Sequence, residues 1–316
     1  AERIRRATGA DEVTLGQRLQ SLWGGYGELW RAALRSGTTL TSVVVKSVQP
    51  PRDDASRSHR RKLRSYDVEQ AFYTRYGARC ATAQSCRVPR AVKLLAEDGG
   101  WLFVLEDLDA AGFDQRRGHA DGSHVAAGLR WLAAFHARFL GAAPDGLWKV
   151  GTYWHLGTRP DELSAMRHEA LRQAAPQLDH ALNAARFKTL VHGDAKLENV
   201  CFSRGGEVAL VDFQYVGGGV GVKDVAYFLS SCLAERECEA RIPRYLDEYF
   251  RELGSAVRAH DSNVDVAELE REWRALFPLA WVDFYRFLLG WAPGQFDRAP
   301  YSERLTRDVL GTLESG

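Results

Sequence analysis

The N-terminal third of the chain is a series of short apolar runs separated by polar or glycine-rich turns. β-Branched and aromatic residues are frequent in these runs, which is typical of strands. We predict five strands there, near residues 13–19, 28–35, 40–48, 88–95 and 101–105. One helical segment, residues 65–76, lies between the third and the fourth strand.

The pattern changes after about residue 107. Residues 123–139 carry apolar side chains three and four positions apart, which is the spacing of one face of a helix. The later segments are predicted to form further helix, a short β-rich island and then mainly helix, over residues 161–186, 189–215 and 222–316. The fold class is therefore α+β, with a small β lobe over residues 1–106 and a larger, mainly α-helical lobe over residues 107–316.

Charge and composition narrow the class of protein. Lys plus Arg number 42 and Asp plus Glu number 41, so the net charge is +1 and we expect no nucleic-acid partner. No apolar run approaches the roughly 18 residues of a membrane-spanning helix, so we expect no membrane insertion. The five cysteines form no CxxC pair and the N-terminus lacks the apolar segment of a secretory signal, so we expect a cytoplasmic protein. The basic run 57–64 is interpreted as a solvated loop or helix face, or alternatively as a clamp for an acidic ligand.

The polar residues that indicate chemistry lie in the β-rich island. Asp194 follows a predicted strand on a loop, where a carboxylate can accept a proton from a hydroxyl group. Asn199 follows Asp194 on the same loop, and Asp212 ends a predicted hairpin that would fold it back beside Asn199. Their carboxylate and amide oxygens are hard ligands, which suit Mg²⁺. Lys196 could place a positive charge where negative charge develops on a phosphate group.

These residues also resemble a known family. His192-Gly-Asp194, followed by Asn199, looks like the catalytic loop of the protein-kinase-like fold, and Asp212-Phe-Gln214 is similar to its D-F-G motif. The glycine after His192 favours the small-molecule branch, which includes aminoglycoside phosphotransferases, choline kinases and the ecdysteroid-kinase-like family. The resemblance implies a bilobal protein-kinase-like fold, with a small antiparallel β N-lobe that has one helix and a larger helical C-lobe.

The same resemblance implies a role for each residue of the motif. Asp194 would be the catalytic base, and Lys196 would stabilise the transferring group. Asn199 and Asp212 would hold Mg²⁺, and Asp224 would order the catalytic loop.

The resemblance extends to nucleotide binding by the N-terminal lobe, residues 1–106. Lys46 matches the lysine that positions the phosphates of ATP, and Glu69 on the following helix is its expected partner. The backbone of Glu106 and of Leu108 would hydrogen-bond the adenine. The loop that covers the phosphates would carry Gly24, Gly25 and Gly27, although these do not match G-x-G-x-x-G, so the amides that meet phosphate stay open.

We therefore predict an ATP- and Mg²⁺-dependent phosphotransferase that acts on a hydroxyl group of a small molecule. Gln214 replaces the glycine of D-F-G, which argues against a regulatory switch there. Residues 215–223 are too short to dock a peptide, so protein substrates are disfavoured. The alternative is a nucleotide-binding pseudokinase that senses a ligand without turnover.

The acceptor is the least constrained part of the prediction, and the oligomeric state stays open. Aromatic side chains between residues 273 and 291 repeat at helical spacing, which fits either core packing or an aromatic wall for the acceptor. Such a wall would bind an apolar alcohol or a choline-like quaternary ammonium. An aminoglycoside is less favoured because acids and bases are mixed in this region. The candidate acceptor residues are Trp281, Asp283 and Trp291.

Overall fold

A computed structural model describes residues 1–51, 54, 56–81, 85–260 and 263–315. The chain divides into two compact units. The first unit comprises Ala1–Arg116 and Cys201–Gln214, and the second comprises Arg117–Val200 and Tyr215–Gly316. A short segment from the second half of the chain, which contains Asp212, therefore belongs to the first unit. The predicted nucleotide-binding and catalytic roles of residues 1–106 and 107–316 stay predictions.

The first unit is built on an antiparallel sheet, as the sequence predicts. β-Branched residues of the third strand alternate between its faces, so Val43 and Val45 are buried in the core. The same strand places Lys46 opposite Phe103. The strand order is β1-β2-β3-β5-β4, with β1 Glu12–Ser21, β2 Gly27–Ser36, β3 Thr39–Val48, β4 Ala91–Glu97 and β5 Gly100–Glu106.

The helices of the first unit differ in extent from the prediction. The main helix begins eight residues earlier than residue 65, because Ser56 caps it by accepting a hydrogen bond from His59 N–H. The basic run 57–64 therefore forms the first two turns of this helix, and His59 within it is buried. A short N-terminal helix, which the sequence pattern did not indicate, buries Ile4 against the sheet and is capped by Gly9. These helices are α1 Glu2–Thr8, α2 Arg57–Arg75 and the single turn α3 Ala78–Ala81.

The second unit is mainly helical, as the sequence predicts. One pair of short strands, β6 with β9, interrupts these helices. The predicted hairpin of β7 with β8 also forms, and it lies almost entirely in the segment Cys201–Gln214 of the first unit. Pro278 lies inside α9 and does not end it. In the described ranges, no helix combines the length and the apolar character that crossing a membrane requires. The bounds are α4 Gly122–Arg138, α5 Pro160–Ala165, α6 Glu169–Asn183, β6 Thr189–Val191, β7 Val200–Phe202, β8 Val208–Leu210, β9 Gly217–Gly219, α7 Val222–Cys232, α8 Glu235–His260, α9 Val266–Trp291 and α10 Pro300–Ser315.

Candidate active site

The loop after β6 brings three of the predicted site residues together in the second unit. Asn199 Nδ2 donates to the backbone oxygen of Asp194 at 2.8 Å and to its carboxylate Oδ2 at 3.0 Å. Lys196 Nζ lies 3.6 Å from the same carboxylate oxygen. Asp194 is only 7% exposed, so its carboxylate is presented from a largely buried position. The loop thus holds a carboxylate, an amide and an ammonium group within reach of one another.

A buried carboxylate fixes the backbone of this loop. Asp224, on the first turn of α7, is fully buried and accepts hydrogen bonds from His192 N–H at 2.6 Å and Gly193 N–H at 2.9 Å. His136 Nε2 lies 3.1 Å from Asp224 Oδ2, and its Nδ1 lies 2.8 Å from the Tyr249 hydroxyl. A His136 ring that donates from Nε2 to Asp224 and accepts at Nδ1 from Tyr249 satisfies both contacts. Bonds from charged acceptors to backbone N–H groups are strong, so the loop is held rigidly.

Gly193 has a steric reason to be glycine. Its φ is +80°, and a Cβ there would lie 2.1 Å from the carbonyl oxygen of Tyr215. Its own carbonyl accepts a hydrogen bond from Tyr153 N–H at 3.0 Å. Any other residue would therefore displace the segment around Tyr215 or the loop that carries Asp194.

In the first unit the predicted phosphate-binding pair forms. Lys46 Nζ on β3 lies 2.7 Å from Glu69 Oε2 on α2 and 3.5 Å from Asp212 Oδ1. Burial disfavours the charge of Lys46, but the carboxylates of Glu69 and Asp212 outweigh it and raise the pKa of Lys46. Burial also raises the pKa of Glu69 to about 7, against the opposing influence of Lys46. Lys46, Glu69 and Asp212 thus form one connected group of charges.

Asp212 is positioned by contacts that the motif did not predict. It has a φ of +69°, and its Oδ1 accepts a hydrogen bond from Gln214 Nε2 at 2.7 Å. Gln214 Oε1 in turn lies 2.9 Å from the hydroxyl of Ser65 on α2. Phe213 stacks on Phe72 of the same helix with ring centroids 3.9 Å apart. Gln214 therefore links Asp212 to α2. The sequence signal for this link was Gln214 itself, which has an amide side chain where D-F-G has a glycine.

The glycine-rich turn joins β1 to β2 in the first unit. Gly24 and Gly25 adopt positive φ, and a Cβ on Gly27 would lie 2.0 Å from the carbonyl oxygen of Ser47. Lys62, from the basic run on α2, places its Nζ 4.3 Å from the ring centroid of Tyr26 within this turn. One cation of the basic run therefore lies against the predicted phosphate loop.

The backbone of the predicted adenine-binding segment is partly committed to internal bonds. Glu106 N–H donates to the carbonyl of Arg90, and the carbonyl of Leu108 accepts from Phe113 N–H, both at 2.8 Å. Within the described part of the chain, the N–H of Leu108 donates to no backbone carbonyl outside the helices and strands. Contacts of Glu106 and Leu108 with the adenine therefore stay predictions.

The predicted acceptor residues do not share one surface. Trp281 is 3% exposed and its indole N–H donates to the hydroxyl of Ser302. Asp283 is 2% exposed and is bound by Arg286 and by the indole of Trp154. Trp291, by contrast, is 56% exposed. Core packing accounts for Trp281 and Asp283, which have almost no exposed surface to offer an acceptor. Their role in acceptor binding stays a prediction.

The donor set of the predicted magnesium ligands suits a hard cation. Asn199 uses its Nδ2 group on Asp194, which leaves the amide oxygen as the group able to bind a metal. Asp212 contributes a carboxylate that is about one-third exposed. Amide and carboxylate oxygens are the ligand types that Mg²⁺ takes, so these residues fit the ion that the resemblance implies.

Known proteins resemble the chain in sequence pattern and in fold. The pattern of the phosphotransferase enzyme family, APH, matches residues 34–262. No curated protein matches the chain in sequence.

Solved structures align with the chain at low identity. A microcompartment-associated aminopropanol kinase superposes with a TM-score of 0.52 at 14% identity, and the match covers 96% of this chain and 92% of that one. A thermostable mutant of aminoglycoside phosphotransferase APH(4)-Ia follows with a TM-score of 0.48, 14% identity and 98% coverage of both chains. Aminoglycoside phosphotransferase APH(3'')-Id from Streptomyces rimosus, in complex with ADP and streptomycin, gives 0.45 at 16% identity, covering 88% of this chain and 96% of that one.

The family pattern spans more than half of the chain and includes the loop of Asp194, the hairpin and Asp212. The fold is the bilobal one that the motifs implied. The chain belongs to the phosphotransferase enzyme family and is a kinase of the small-molecule branch of the protein-kinase-like fold.

Proposed function

We propose that this protein transfers the γ-phosphate of ATP to a hydroxyl group of a small molecule, with Mg²⁺ as the cofactor. The observation that carries the proposal is the loop of Asp194, which buried Asp224 anchors through two backbone N–H groups. Asn199 fixes the orientation of the Asp194 carboxylate, and Lys196 lies beside it. A rigid carboxylate next to a cation is the arrangement expected of a base that works beside a phosphate.

The residues of the second unit would act on the acceptor. Asp194 Oδ2 already accepts from Asn199, so the carboxylate is oriented before the acceptor arrives. It would accept the proton of the acceptor hydroxyl as that oxygen attacks the γ-phosphorus and the bond to ADP breaks. Lys196 Nζ would then stabilise negative charge on the transferring group.

The residues of the first unit would hold the nucleotide. Lys46, kept charged by Glu69 and Asp212, would donate to the α- and β-phosphates. Leu108 N–H would donate to the adenine. Asn199 and Asp212 would bind Mg²⁺, which supplies positive charge against the phosphate oxygens when it is bound.

ADP release with Mg²⁺-ATP over a panel of alcohols tests this function. The panel contains apolar alcohols, choline, aminopropanol and an aminoglycoside. We expect one class to accelerate ADP release and Asp194→Asn to lower the rate by at least about 10²-fold, since general-base catalysis contributes that much. Asp121→Asn is the matched control, because Asp121 is an exposed helix cap in the same unit.

Two outcomes would contradict the proposal. Near-full turnover in Asp194→Asn would show that another group is the base. Tight Mg²⁺-ATP binding with no ADP release for any alcohol would favour the alternative of a nucleotide-dependent sensor without turnover.

A further inference from the structure

Residues 151–154 lie against the catalytic loop within the second unit, and we call them the supporting segment. The N–H groups of its first three residues donate to carbonyl groups of the catalytic loop and of the residues after Gln214. The segment and the loop are therefore joined backbone to backbone. The bonds run from Gly151 to Gly218 at 2.8 Å, from Thr152 to Tyr215 at 3.1 Å and from Tyr153 to Gly193 at 3.0 Å.

The bond to Gly193 bears directly on Asp194. The carbonyl of Gly193 and the N–H of Asp194 belong to one peptide group, which is planar. A bond that holds this carbonyl therefore holds the backbone from which the Asp194 carboxylate projects. Buried Asp224 holds Gly193 from the other side, through its N–H at 2.9 Å. The N–H of Tyr153 is thus the second of two anchors on Gly193.

Thr152, in the middle of the supporting segment, has a conformation that a threonine rarely adopts. Its φ is +101°, which lies outside the regions that a β-branched residue readily occupies. Its hydroxyl group is buried and has no hydrogen-bond partner among the residues that the structure describes. Both features cost free energy, and such a backbone persists only where its surroundings fix it. The supporting segment therefore needs contacts that hold it against this strain.

An ion pair on α9 makes such contacts with Trp154, the last residue of the segment. Arg286 Nη2 donates to the carbonyl of Trp154 at 3.1 Å, and the Trp154 indole N–H donates to Asp283 Oδ2 at 3.1 Å. Within the pair, Arg286 donates to Asp283 Oδ1 from Nη2 at 2.8 Å and from Nε at 3.1 Å. Trp154 is therefore bound through both its backbone and its side chain by two residues one helical turn apart.

The pair is buried, and stability alone is a weak reason for it. Arg286 is 1% and Asp283 is 2% exposed, so neither presents a surface to ATP or to an acceptor. Desolvation makes a buried ion pair costly, and apolar side chains of similar size often stabilise a core equally well. A third buried charge, Lys223 Nζ, lies 3.8 Å from Asp283 Oδ2. What the pair provides beyond apolar packing is directed bonds that specify where Trp154 lies.

We infer that the ion pair of Asp283 and Arg286 positions the catalytic loop for phosphotransfer. It acts through the supporting segment on the peptide group of Gly193, and so sets where the Asp194 carboxylate lies. This inference rests on the proposed function, because it assumes that Asp194 is the base. Asp283 is then a positioning residue, which differs from the contact with the acceptor that the sequence predicts.

Two variants each break one bond to Trp154 and keep the charges of the pair. In Arg286→Lys a positive charge remains beside Asp283, but a single ammonium group cannot reproduce the fork that reaches both Asp283 and the carbonyl of Trp154. Trp154→Phe keeps an aromatic ring and removes the indole N–H that Asp283 accepts.

Each variant has a control that makes the same chemical change elsewhere. Arg274→Lys matches Arg286→Lys, because Arg274 also pairs with a carboxylate of α9, that of Glu270, at 2.7 Å. Trp101→Phe matches Trp154→Phe, because the Trp101 indole also donates to a carboxylate, that of Asp67, at 3.2 Å. Trp101 and Asp67 belong to the first unit.

Two measurements separate positioning from general stability. Initial rates of ADP release with Mg²⁺-ATP give kcat and KM for the preferred alcohol of the panel described above. Hydrogen exchange, measured without nucleotide, follows peptides that span residues 150–156 and 190–200, with residues 240–255 of α8 as the reference.

We expect Arg286→Lys and Trp154→Phe each to lower kcat about tenfold or more, because a small displacement of a catalytic group is costly. KM for ATP and for the alcohol should change less than about twofold, since the pair does not contact either. Exchange should accelerate several-fold in residues 150–156 and 190–200 and stay unchanged in residues 240–255. Both controls should match the unmodified protein in rate and in exchange.

Four results would overturn the inference. These are unchanged kcat in both variants, unchanged exchange of residues 190–200, equal acceleration in the reference peptide, and a rise in the KM of the alcohol at constant kcat. The third would indicate a general loss of stability, and the fourth would indicate a contact with the acceptor. If the unmodified protein phosphorylates no alcohol, the proposed function fails, and faster exchange of residues 190–200 in the two variants but not in the controls still establishes that the pair holds the loop.

Discussion

Asp224 is the residue whose loss should most directly uncouple the catalytic loop from its support. Its side chain is fully buried and accepts from His192 N–H, Gly193 N–H and His136. In Asp224→Asn one of the two carboxylate oxygens becomes an NH₂ group, which cannot accept from a backbone N–H. One buried N–H of the loop is then left without a partner, at Gly193 or at His192.

The size of the effect follows from these contacts. A hydrogen bond to a charged group contributes about 1.5–3 kcal/mol, and an unpaired buried N–H costs about 1–3 kcal/mol. We therefore expect Asp224→Asn to lower the free energy of unfolding by about 3 kcal/mol. Asp224→Ala leaves both amides unpaired and adds a cavity, so about 4–5 kcal/mol is expected. Either loss is a large fraction of the roughly 5–15 kcal/mol that stabilises a folded protein.

The matched control is Asp121→Asn. Asp121 also accepts from two backbone N–H groups, those of Ser123 and His124, but its side chain is 63% exposed. Asparagine caps helices about as well as aspartate, so this change should cost less than about 0.5 kcal/mol. The two substitutions are chemically identical and differ mainly in burial.

Two measurements test the reasoning. Urea unfolding gives the change in stability, and hydrogen exchange of a peptide that spans residues 190–200 gives the local effect, which matters because two units need not unfold together. Exchange in that peptide should accelerate in Asp224→Asn, and kcat should fall with it. Equal stability losses for Asp224→Asn and Asp121→Asn, or unchanged exchange of the loop, would refute the argument.

Three further changes follow from the geometry. Because burial raises the pKa of Glu69 to about 7 from its ordinary 4.5, the folded protein binds that proton more tightly than the unfolded chain. Stability should therefore fall as pH rises from about 4.5 to about 7, and urea midpoints across this range should change less in Glu69→Gln. Gln214→Ala removes the hydrogen bond to the Asp212 carboxylate, so activity titrations should show a Mg²⁺ requirement raised several-fold. Gly193→Ala should reduce stability by about 2 kcal/mol or more in urea unfolding, because a Cβ there would lie 2.1 Å from a carbonyl oxygen.

Each of these three predictions has a control variant or an outcome that would contradict it. Gly141→Ala is the control for Gly193→Ala, because Gly141 also has a positive φ, +74°, but no atom within 4 Å of an added Cβ. Gln173→Ala, on the exposed face of α6, is the control for Gln214→Ala. An identical pH response in Glu69→Gln and in the unmodified protein would contradict the assignment of the buried carboxyl group.

The fold and the core of the site could be predicted because their signals are local. β-Branched runs predicted the sheet, and period-four spacing predicted α4 within a residue at each end. The loop from His192 to Asn199 is short, so its motif already placed Asp194, Lys196 and Asn199 within contact distance. The pairing of Lys46 with Glu69 followed from a strand and the helix after it, a relation that the family resemblance supplied.

The predicted start of α2 was eight residues too late, because the first two turns of the helix carry mainly basic residues. Arg57–Arg64 has few apolar positions, so it shows no clear periodicity, and Ser56 was the one local sign of a helix N-terminus. α1 was not predicted because seven residues are too few to establish a period and only Ile4 is buried. In both cases tertiary contact with the sheet, or a capping side chain, decided what the local pattern left open.

The surroundings of the predicted acceptor residues could not be read from the sequence for a different reason. Helical spacing along α9 indicated its aromatic residues, but it could not show which of them other elements would cover. Ser302 on α10 binds Trp281, and Trp154 from a distant loop binds Asp283, so both residues are occupied by partners remote in the chain. Trp291 lies beyond that cover, at the last position of the helix, and is the exposed one of the three. The part of α9 that the fold leaves uncovered is defined only when every long-range contact is known.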